Sequence, residues 1–418
     1  MSLFSVASPA VPKPQVTAQD FDLAAKHQPI ISVDLNEPAL PLVMGFSVVS
    51  EAVKSPSSKF DLTPPEGGKV IEYAIWYDWD IQHLYDLEHV WVHVDSSGEV
   101  TRVEGTMHGM RVSMDTGSGV PQMQGTRPVL YAEPGKHAIW ANTRPMPFVA
   151  GAMIRRVCGA DAGAQGIHTG NRFADTGAYT ASPRDHRLAS LAMRRAAFVP
   201  SFTFQPSPDT SLVPWDTLEA WIPARMTALI AALPDTVPHL KALFLDCGDT
   251  LVDEATEVKI EGTEIVTSAD EIPHAMDAVR TLDALGYPMV LVADGPPETF
   301  QNVLKPRGIW ELMQGHVISG NIGELKPSPK MFAAAMDVLG LYEADKSQVV
   351  MVGNNLSRDI KGANDFGLQS LFVAWSKRRT HAPVDASEVP DKSIDSLDQL
   401  VAMIDAMELA LPARQCDA

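Results

Sequence analysis

From residue 240 onward, short apolar stretches alternate with amphipathic ones. The apolar stretches carry hydrophobic side chains at nearly every position, as in KALFLD, PMVLVAD, QVVMVG and QSLFVAW. Strands that are buried on both faces have this pattern, whereas strands with one wet face alternate. The stretches between them, such as IPHAMDAVRTLDALG and PSPKMFAAAMDVLG, have apolar residues at helical spacing and end at glycine. The pattern predicts a Rossmann-like α/β fold, with a parallel sheet covered by helices on both faces.

Residues 30–150 follow a different pattern, in which apolar and polar positions alternate. The stretches KVIEYAIWYDWD and LEHVWVHVDSSGEVTRVEG are rich in Val, Ile, Trp and Tyr, and DSSGE is typical of a hairpin turn. This part predicts a mainly-β, sandwich-like domain. Residues 158–185 have no clear period and predict loops, whereas PWDTLEAWIPARMTALIAAL predicts an amphipathic helix.

The stretch PDTVP, residues 234–238, contains two prolines that we expect to end this helix and to mark a domain boundary. Residues 1–27 are rich in Pro, Ala and Ser and predict a poorly ordered arm. The predicted parts of the chain are an arm at 1–27, a β-rich domain at 28–235, an α/β domain at 239–405 and a tail at 406–418.

Composition and net charge limit the kinds of molecule that the protein is expected to bind and the compartment in which it is expected to occur. The 418 residues carry a net charge of −19, so the basic footprint of a nucleic-acid-binding protein is missing and anionic membranes are unfavourable partners. Neither a signal peptide nor a transmembrane helix is expected, because the N-terminal stretch lacks a charged region and no run of about 18 apolar residues occurs. The three scattered cysteines do not suit a disulfide framework, which favours a reducing, cytoplasmic location. The expected partner is a small-molecule substrate.

Polar residues follow the predicted parallel strands at their carboxyl ends. Asp246, Asp294 and Gly353 each end such a strand, and Lys326 lies in a loop that precedes a helix. Ligands of open α/β sheets bind beyond the carboxyl ends of the strands. The sequence therefore predicts a functional site at this edge of the sheet.

Residues 240–375 resemble the haloacid dehalogenase (HAD) superfamily. The stretches that carry the resemblance occur in the order typical of the family: FLDCGDTL, VLVADGP, ELKPSPKMF and VMVGNNLSRDIKGA. Most members of this superfamily are Mg²⁺-dependent phosphatases. The resemblance thus implies a Mg²⁺-dependent hydrolase, first of all a phosphatase of a phosphorylated metabolite.

The resemblance also implies a role for each matching residue. Asp246 would attack phosphorus and form an aspartyl-phosphate, and Lys326 would balance the charge on the nucleophile and the phosphoryl group. Mg²⁺ prefers oxygen ligands. The ligands implied here are Asp246, Asp359, Asn354 and the backbone carbonyl of Gly248. Asp294 and Gly295 join Lys326 as candidate substrate-binding residues.

Three positions depart from the family pattern. Gly248 replaces the acid/base aspartate, Ala293 stands where a hydroxyl residue contacts phosphate, and Asn354 replaces an acid. Loss of general acid–base help costs about 10²–10⁴ in rate, so it weakens catalysis without excluding it. Water or Asp249 could transfer the proton, although a local turn bond is the simpler interpretation of Asp249. The dehalogenases of the family also lack this aspartate, so a changed chemistry stays open.

No cap domain fits into this part of the sequence. The stretch VDEATEVKIEGTEIVTSADE is long enough for a hairpin flap only. We therefore expect a capless domain with an open site, unless the N-terminal domain or the second subunit of a homodimer covers it. Open sites exclude water poorly.

The stretch QHLYDLEHVWVHV, residues 82–94, predicts a second site. Asp86 and Glu88 share one face of a strand, and a bend could bring His83 to them, which gives a set suited to a divalent metal. The stretch resembles the heptapeptide GHRHDWE of NPP1-like proteins and the DWEHV of Vps62-related proteins. The resemblance implies His83, Asp86 and Glu88 as metal ligands. The later stretches GTMHGM and RPVLYAEPGKHAI add His108 and His137 as candidate substrate-binding residues.

The sequence leaves three functions open. The leading one is the phosphatase, and the second is an inactive HAD scaffold whose N-terminal metal site binds a glycan or another polar ligand. The third places hydrolysis at His83, Asp86 and Glu88. Against any N-terminal site stands the simpler view that these acids lie on a solvated strand face, beside ordinary histidines.

Overall fold

The computed structural model describes residues 17–412. The chain divides into two compact units, residues 1–237 and residues 238–418. Residues 1–16 of the predicted arm and residues 413–418 of the predicted tail lie outside the described residues.

The N-terminal unit is rich in strands. Its strands are β1 (Ile30–Asp34), β2 (Val43–Val49), β3 (Val53–Lys54), β4 (Asp61–Leu62), β5 (Lys69–Trp79), β6 (His83–Val94), β7 (Val100–Met107), β8 (Met110–Ser113), β9 (Met123–Gln124), β10 (Arg127–Ala132), β11 (Ile139–Trp140), β12 (Gly166–Ile167), β13 (Phe204–Pro206) and β14 (Ser211–Pro214). One sheet has the order β11-β10-β1-β13, with β9 paired to β10. A larger sheet has the order β14-β2-β5-β6-β7-β8, with β12 paired to β6.

Both sheets contribute to one apolar core. Ile31 and Leu130 of the smaller sheet belong to the same buried cluster as Tyr73, Val92 and Val103 of the larger sheet. Strands of the larger sheet send alternate side chains to opposite faces, so one face of β5 and β6 supplies this cluster. The prediction of a β-rich domain with several sheets is confirmed, and the sandwich itself stays a prediction.

Helices in the described part of the N-terminal unit, residues 17–237, correct some of the predicted elements. They are α1 (Ala18–His27), α2 (Met146–Val149), α3 (Gly151–Cys158), α4 (Arg172–Asp175), α5 (Pro183–Arg195) and α6 (Trp215–Thr236). Residues 18–27 were expected in the arm but form α1, because the Tyr73 hydroxyl donates to the carbonyl of Ala24 (2.7 Å) and Phe21 packs edge-on against Phe46. The region 158–185 also contains helical segments rather than loops alone.

Helix α6 ends within residues 234–238, where the sequence placed its end, although Pro234 itself does not end it. Pro223 and Pro234 both lie inside the helix, which ends at Thr236. The buried side chains of Leu218, Ile222 and Leu229 fix the helix by packing, and this offsets the hydrogen bonds that proline cannot donate.

The C-terminal unit has the predicted alternation of strands and helices. Its strands are β15 (Ala242–Leu245), β16 (Val258–Lys259), β17 (Val266–Ser268), β18 (Met289–Ala293), β19 (Gly315–Ile318), β20 (Val349–Gly353), β21 (Gln369–Val373) and β22 (Lys392–Ile394). Its α-helices are α7 (Ala275–Ala284), α8 (Pro297–Leu304), α9 (Ser319–Ile322), α10 (Pro329–Val338), α11 (Lys361–Phe366) and α12 (Leu400–Leu409). Residues 406–409, expected in the tail, therefore belong to α12.

Six of these strands form one parallel sheet in the order β19-β18-β15-β20-β21-β22. Successive residues of β15 enter different cores: Leu243 and Leu245 belong to a cluster that includes α7 and α12, whereas Phe244 belongs to a cluster that includes α10. The sheet is thus covered on both faces, and the predicted Rossmann-like fold is confirmed. Its central strand, β15, carries its carboxyl end toward the residues described next.

No helix in residues 17–412 is both long and apolar enough to cross a membrane. Cys158 and Cys247 are buried free thiols, and Cys416 lies outside the described residues.

Candidate active site

Asp246 stands at the carboxyl end of the central strand of the parallel sheet. It follows β15 directly, and its amide donates to the carbonyl of Val352 in the neighbouring strand β20 (3.0 Å). The hydroxyl of Thr250 lies 3.4 Å from its Oδ2 atom. The sheet therefore fixes the backbone of Asp246, and its carboxylate reaches a cavity at the sheet edge.

Lys326 joins Asp246 to a second carboxylate. Its Nζ atom lies 2.8 Å from Oδ1 of Asp246, 2.6 Å from Oδ1 of Asp359 and 2.8 Å from the carbonyl of Val292. Burial acts to lower the pKa of Lys326, but the charges of Asp246 and Asp359 outweigh it and raise the pKa. The ammonium group is therefore held in its charged form between the two acids.

Asp359 is fully buried in the helical turn Leu356–Ile360, and its Oδ2 atom accepts a hydrogen bond from the amide of Asn355 (2.9 Å). Burial and the nearby charge of Asp246 raise the pKa of Asp359 to about 7. One lysine thus leaves part of the negative charge of the two acids uncompensated.

A hard divalent cation suits this excess of charge. Besides the two carboxylates, the site offers the carbonyl of Gly248 and the side chain of Asn354, whose buried Nδ2 atom makes no hydrogen bond to the described residues. Since amide oxygen and nitrogen are assigned from their partners, this unsatisfied amide is free to turn its oxygen inward. The donor set is oxygen-based and incomplete without water, as Mg²⁺ sites commonly are.

Asp249 lies outside this cavity. It is completely buried, and both of its carboxylate oxygens pair with the guanidinium of Arg378, with Oδ2 lying 2.9 Å from Nε. Its Oδ1 atom also accepts from the amide of Glu254 (3.0 Å). The carboxylate is used in a structural ion pair, so the geometry gives Asp249 no access to a substrate.

The place left by the missing acid/base aspartate is filled by another carboxylate. A Cβ atom built on Gly248 would overlap Oε1 of Glu254, and the three nearest atoms to that position all belong to Glu254. Glu254 lines the same cavity as Asp246. No sequence pattern indicated it, because a side chain that reaches back across a turn leaves no periodic signal.

A hydroxyl group is also present, although Ala293 does not supply it. Ser319 follows the neighbouring strand β19, is 5% exposed and lines the cavity. Its Oγ atom accepts from the amide of Gly295 (2.9 Å), which leaves its own hydrogen available to a ligand. The parallel sheet places the end of β19 beside the end of β18, so the hydroxyl is offered from the adjacent strand.

Asp294 organises the lysine loop. Its Oδ1 atom accepts from the amide of Lys326 (3.0 Å), and its Oδ2 atom lies 3.2 Å from Nη1 of Arg358. Both Asp294 and Gly295 line the cavity, as predicted for substrate-binding residues, but the carboxylate of Asp294 is already engaged. Whether either one contacts a substrate stays a prediction.

The cavity itself has a volume of about 1160 Å³. The antiparallel hairpin of β16 and β17 forms one side, through Lys259 and Val266. The predicted hairpin flap is thus present. Coverage of the site by a second subunit stays a prediction.

The residues predicted to hold an N-terminal metal do not converge. Asp86 Oδ2 lies 2.7 Å from Nδ1 of His137, His83 Nε2 lies 3.4 Å from Oδ2 of Asp80, and Glu88 accepts from the hydroxyl of Thr106. Within residues 17–412, no three His, Cys, Asp or Glu side chains are arranged to hold a metal. The structure therefore does not support a metal set at His83, Asp86 and Glu88, since each side chain turns to a different partner.

His137 is the centre of a buried network instead. Its Nε2 atom lies 3.4 Å from Oε1 of Glu37, and the ring of Tyr77 stacks on it at 3.9 Å. Burial acts to lower the pKa of His137, but its hydrogen bond to Asp86 and the nearby carboxylate of Glu37 raise it to about 10. Asp86 and Glu88 also share the face of β6 that carries the buried Val90 and Val92, so the structure does not support the view of a solvated strand face either.

His108 does not join this network. Its Nε2 atom lies 3.2 Å from Oε1 of Glu133, and its side chain is 40% exposed. The structure does not bring the two candidate substrate-binding histidines to one partner.

Residues 239–367 match the family model of the haloacid dehalogenase-like hydrolases. The C-terminal unit contains a HAD-like hydrolase domain. The resemblance drawn from the four stretches is confirmed, and the site around Asp246 lies within the matched residues. The matching region of the HAD-like domain covers about a third of the chain.

Curated relatives match the HAD-like domain. The glyceraldehyde 3-phosphate phosphatase of Methanopyrus kandleri is 30% identical over 132 residues, which cover 32% of this chain and 55% of the relative. The N-acylneuraminate-9-phosphatase of Mus musculus is 27% identical over 120 residues, or 29% of this chain and 46% of the relative. The chain thus spans about half the length of these relatives. Among solved structures, an HAD phosphatase from Thermococcus onnurineus is 17% identical, with a TM-score of 0.33, and covers 40% of this chain and 98% of its own.

Proposed function

We propose that the HAD-like domain is a Mg²⁺-dependent phosphatase of small phosphorylated metabolites. The observation that carries the proposal is the contact of Lys326 Nζ with both Asp246 and Asp359, at the carboxyl end of the central strand. A carboxylate that is exposed to a cavity and flanked by a fixed cation is suited to attack an anionic phosphoryl group. The relatives with phosphatase names support the same reaction class.

The reaction divides into two displacements at phosphorus. In the first, an oxygen of Asp246 forms a bond to phosphorus while the bond from phosphorus to the alcohol oxygen breaks, and that oxygen takes up a proton. In the second, water attacks the aspartyl-phosphate, loses a proton and releases inorganic phosphate with the carboxylate of Asp246 regenerated. Lys326 stays charged throughout and offsets the negative charge that meets at Asp246.

Asp246, Asp359, the Gly248 carbonyl and Asn354 would hold Mg²⁺. When bound, Mg²⁺ reduces the repulsion between a carboxylate nucleophile and a phosphate dianion. The residues of the chain have three further roles. The sheet orients Asp246, Lys326 neutralises the charge of its carboxylate, and Ser319 is placed to donate a hydrogen bond to a phosphoryl oxygen.

A substrate of moderate size and mixed polarity suits the cavity. Cationic side chains at Lys259, Arg358 and Arg379 and acidic ones at Glu257 and Glu324 share its lining. The volume of about 1160 Å³ admits a phosphorylated sugar or acid with room for water.

The test compares wild type with Asp246→Asn on a panel of phosphorylated metabolites in the presence of Mg²⁺. We expect wild-type turnover and its loss in the variant, because the amide cannot form the acyl-phosphate. Asp277→Asn, a change on the exposed face of α7, serves as the matched control and should keep wild-type activity. Mass spectrometry of the quenched wild-type enzyme should find one added phosphoryl group on the peptide that contains residue 246.

Two results would count against the proposal. One is a wild-type protein that releases no phosphate from any member of a broad panel. The other is an Asp246→Asn variant whose turnover equals that of wild type, since the nucleophile would then lie elsewhere.

A further inference from the structure

The carboxylate of Glu254 enters the space that a side chain at position 248 would need. The backbone between them folds back on itself: Gly248 and Val252 form a bridge, and Asp253 caps the short 3₁₀ turn Glu254–Thr256. The amide of Glu254 is fixed by Oδ1 of Asp249 (3.0 Å). This turn is what brings a residue eight positions after the nucleophile beside the residue two positions after it.

The carboxylate is also held from the other side. Nη2 of Arg379 lies 3.2 Å and 3.1 Å from the two carboxylate oxygens of Glu254. The side chain of Glu254 is 31% exposed, and its residue lines the cavity with Asp246, Lys326 and Asp359. The group is therefore anchored, reachable by a ligand and part of the same cavity as the nucleophile.

We propose that Glu254 is the general acid and base of this site, in place of the aspartate that is missing at position 248. The inference rests on the phosphatase function proposed above and names the residue that moves its protons. The carboxyl group of Glu254 gives its proton to the alcohol oxygen as the bond from phosphorus to that oxygen breaks. The resulting carboxylate then takes a proton from the water that attacks the aspartyl-phosphate, which returns Glu254 to its starting form.

Asp249, which the sequence offered for proton transfer, is poorly placed for this role. Asp249 is completely buried and has both oxygens on Arg378, so it cannot reach a leaving group. Glu254, in contrast, lines the cavity together with Asp246, and its side chain is partly exposed, so a ligand can reach its carboxyl group.

The first experiment uses leaving groups that differ in their need for a proton. Glu254→Gln should lower kcat/KM for an alkyl phosphate by about 10²–10⁴, the usual contribution of a general acid. For p-nitrophenyl phosphate, whose leaving group departs without a proton, the variant should keep a rapid burst of p-nitrophenol. Slow turnover should follow the burst, because the phosphorylated enzyme waits for a base. Glu261→Gln, an exposed change in the hairpin, is the control and should leave both substrates unaffected.

A second experiment moves the carboxylate. In Gly248→Asp with Glu254→Ala, the new side chain takes the space that the lost one occupied, and the backbone at position 248 accepts it because its φ is not in the left-handed region. We expect this double variant to turn over alkyl phosphates faster than Glu254→Ala alone. Gly248→Asp alone should be impaired, since its side chain collides with that of Glu254. Recovery in the double variant also shows that loss in the single variant was not a failure to fold.

The outcomes separate the two proposals. Wild-type protein without phosphatase activity overturns both of them. Active wild type, with Glu254→Gln equally active on alkyl and nitrophenyl esters, overturns only the role of Glu254 and assigns proton transfer to water. Selective loss on the alkyl ester, a retained burst and recovery in the double variant support it.

Discussion

At the scale of single residues, two consecutive arginines hold the acidic turn that follows the nucleophile. Arg378 pairs with Asp249 and lies 2.7 Å from Asp253, while Arg379 pairs with Glu254. Charge repulsion among three acids so close in sequence would otherwise open the turn. The arginines thus convert a repulsive stretch into a fixed one.

Loss of Arg378 should therefore cost stability. Arg378→Met leaves the buried carboxylate of Asp249 without its main partner, and we expect the free energy of unfolding to fall by about 1–3 kcal/mol. This is less than for a fully buried pair, because the side chain of Arg378 is 37% exposed and water screens it. Denaturant unfolding measures the change. Arg280→Met, which removes an exposed pair with Asp277, is the control and should change stability by less than about 0.5 kcal/mol. Equal effects of the two substitutions would show that the pair of Arg378 with Asp249 stabilises the fold no more than an exposed ion pair does.

The sequence predicted the site residues that come directly after strands, and it missed those that reach in from elsewhere. Asp246 and Asp294 could be found because the carboxyl ends of parallel strands meet at one edge. Lys326 and Asp359 were found by their stretches. Glu254 and Ser319 were missed, because the first arrives through a turn and the second replaces a hydroxyl that is expected one strand away.

At the scale of elements, strand β6 carries acidic side chains on the same face as the apolar side chains of the core, which its alternating pattern does not predict. Its core-facing side runs from the buried Val94 and Val92 to the half-buried Glu88 and the buried Asp86 without a change of direction. Alternation alone cannot show that Asp86, at the end of this face, is buried. Its burial depends on His137, which lies in a turn of left-handed φ between β10 and β11. In α6, Pro234 lies inside the helix, and packing along a long buried face offsets the hydrogen bond that it cannot donate.

The network around His137 should make the N-terminal unit less stable in alkali. The pKa of His137 is about 10 in the folded protein and 6.5 in its ordinary state, so protonation stabilises the fold fully below about pH 6.5. This contribution is lost as the pH rises through about 10. We expect the denaturant midpoint, followed by the fluorescence of the N-terminal tryptophans, to fall over this range in wild type and to change much less in His137→Gln.

His108→Gln is the matched control for this measurement. His108 also pairs with an acid, but it is 40% exposed, so its removal should leave most of the pH dependence in place. An alkaline slope that is the same in wild type and in His137→Gln would contradict the assigned role of the network.

At the scale of the whole molecule, the chain contains two compact units with their own apolar cores. The cluster around Tyr73 and Val92 belongs to the N-terminal unit, and those around Leu243 and Phe244 belong to the C-terminal unit. The spacing of apolar residues along the sequence changes near residue 240, because a parallel sheet and a strand-rich unit bury their residues with different periods.

Separate cores predict at least two transitions in calorimetry. Arg378→Met should lower the temperature of one transition and His137→Gln that of the other, because each removes a contact within a single unit. A single transition, shifted as a whole by both substitutions, would show that the two units unfold as one. The double variant gives a further check, since changes in independent units should add.

The overlap between Gly248 and Glu254 has a consequence for how this sequence can change over time. An aspartate at 248 is obstructed while Glu254 is present, and the loss of Glu254 leaves no carboxylate while Gly248 is present. Each single step is therefore unfavourable, although the two together exchange one arrangement for an equivalent one. Single substitutions therefore do not readily lead a lineage out of this arrangement once it is present. The short motif of such a lineage then resembles that of an enzyme that has lost its activity.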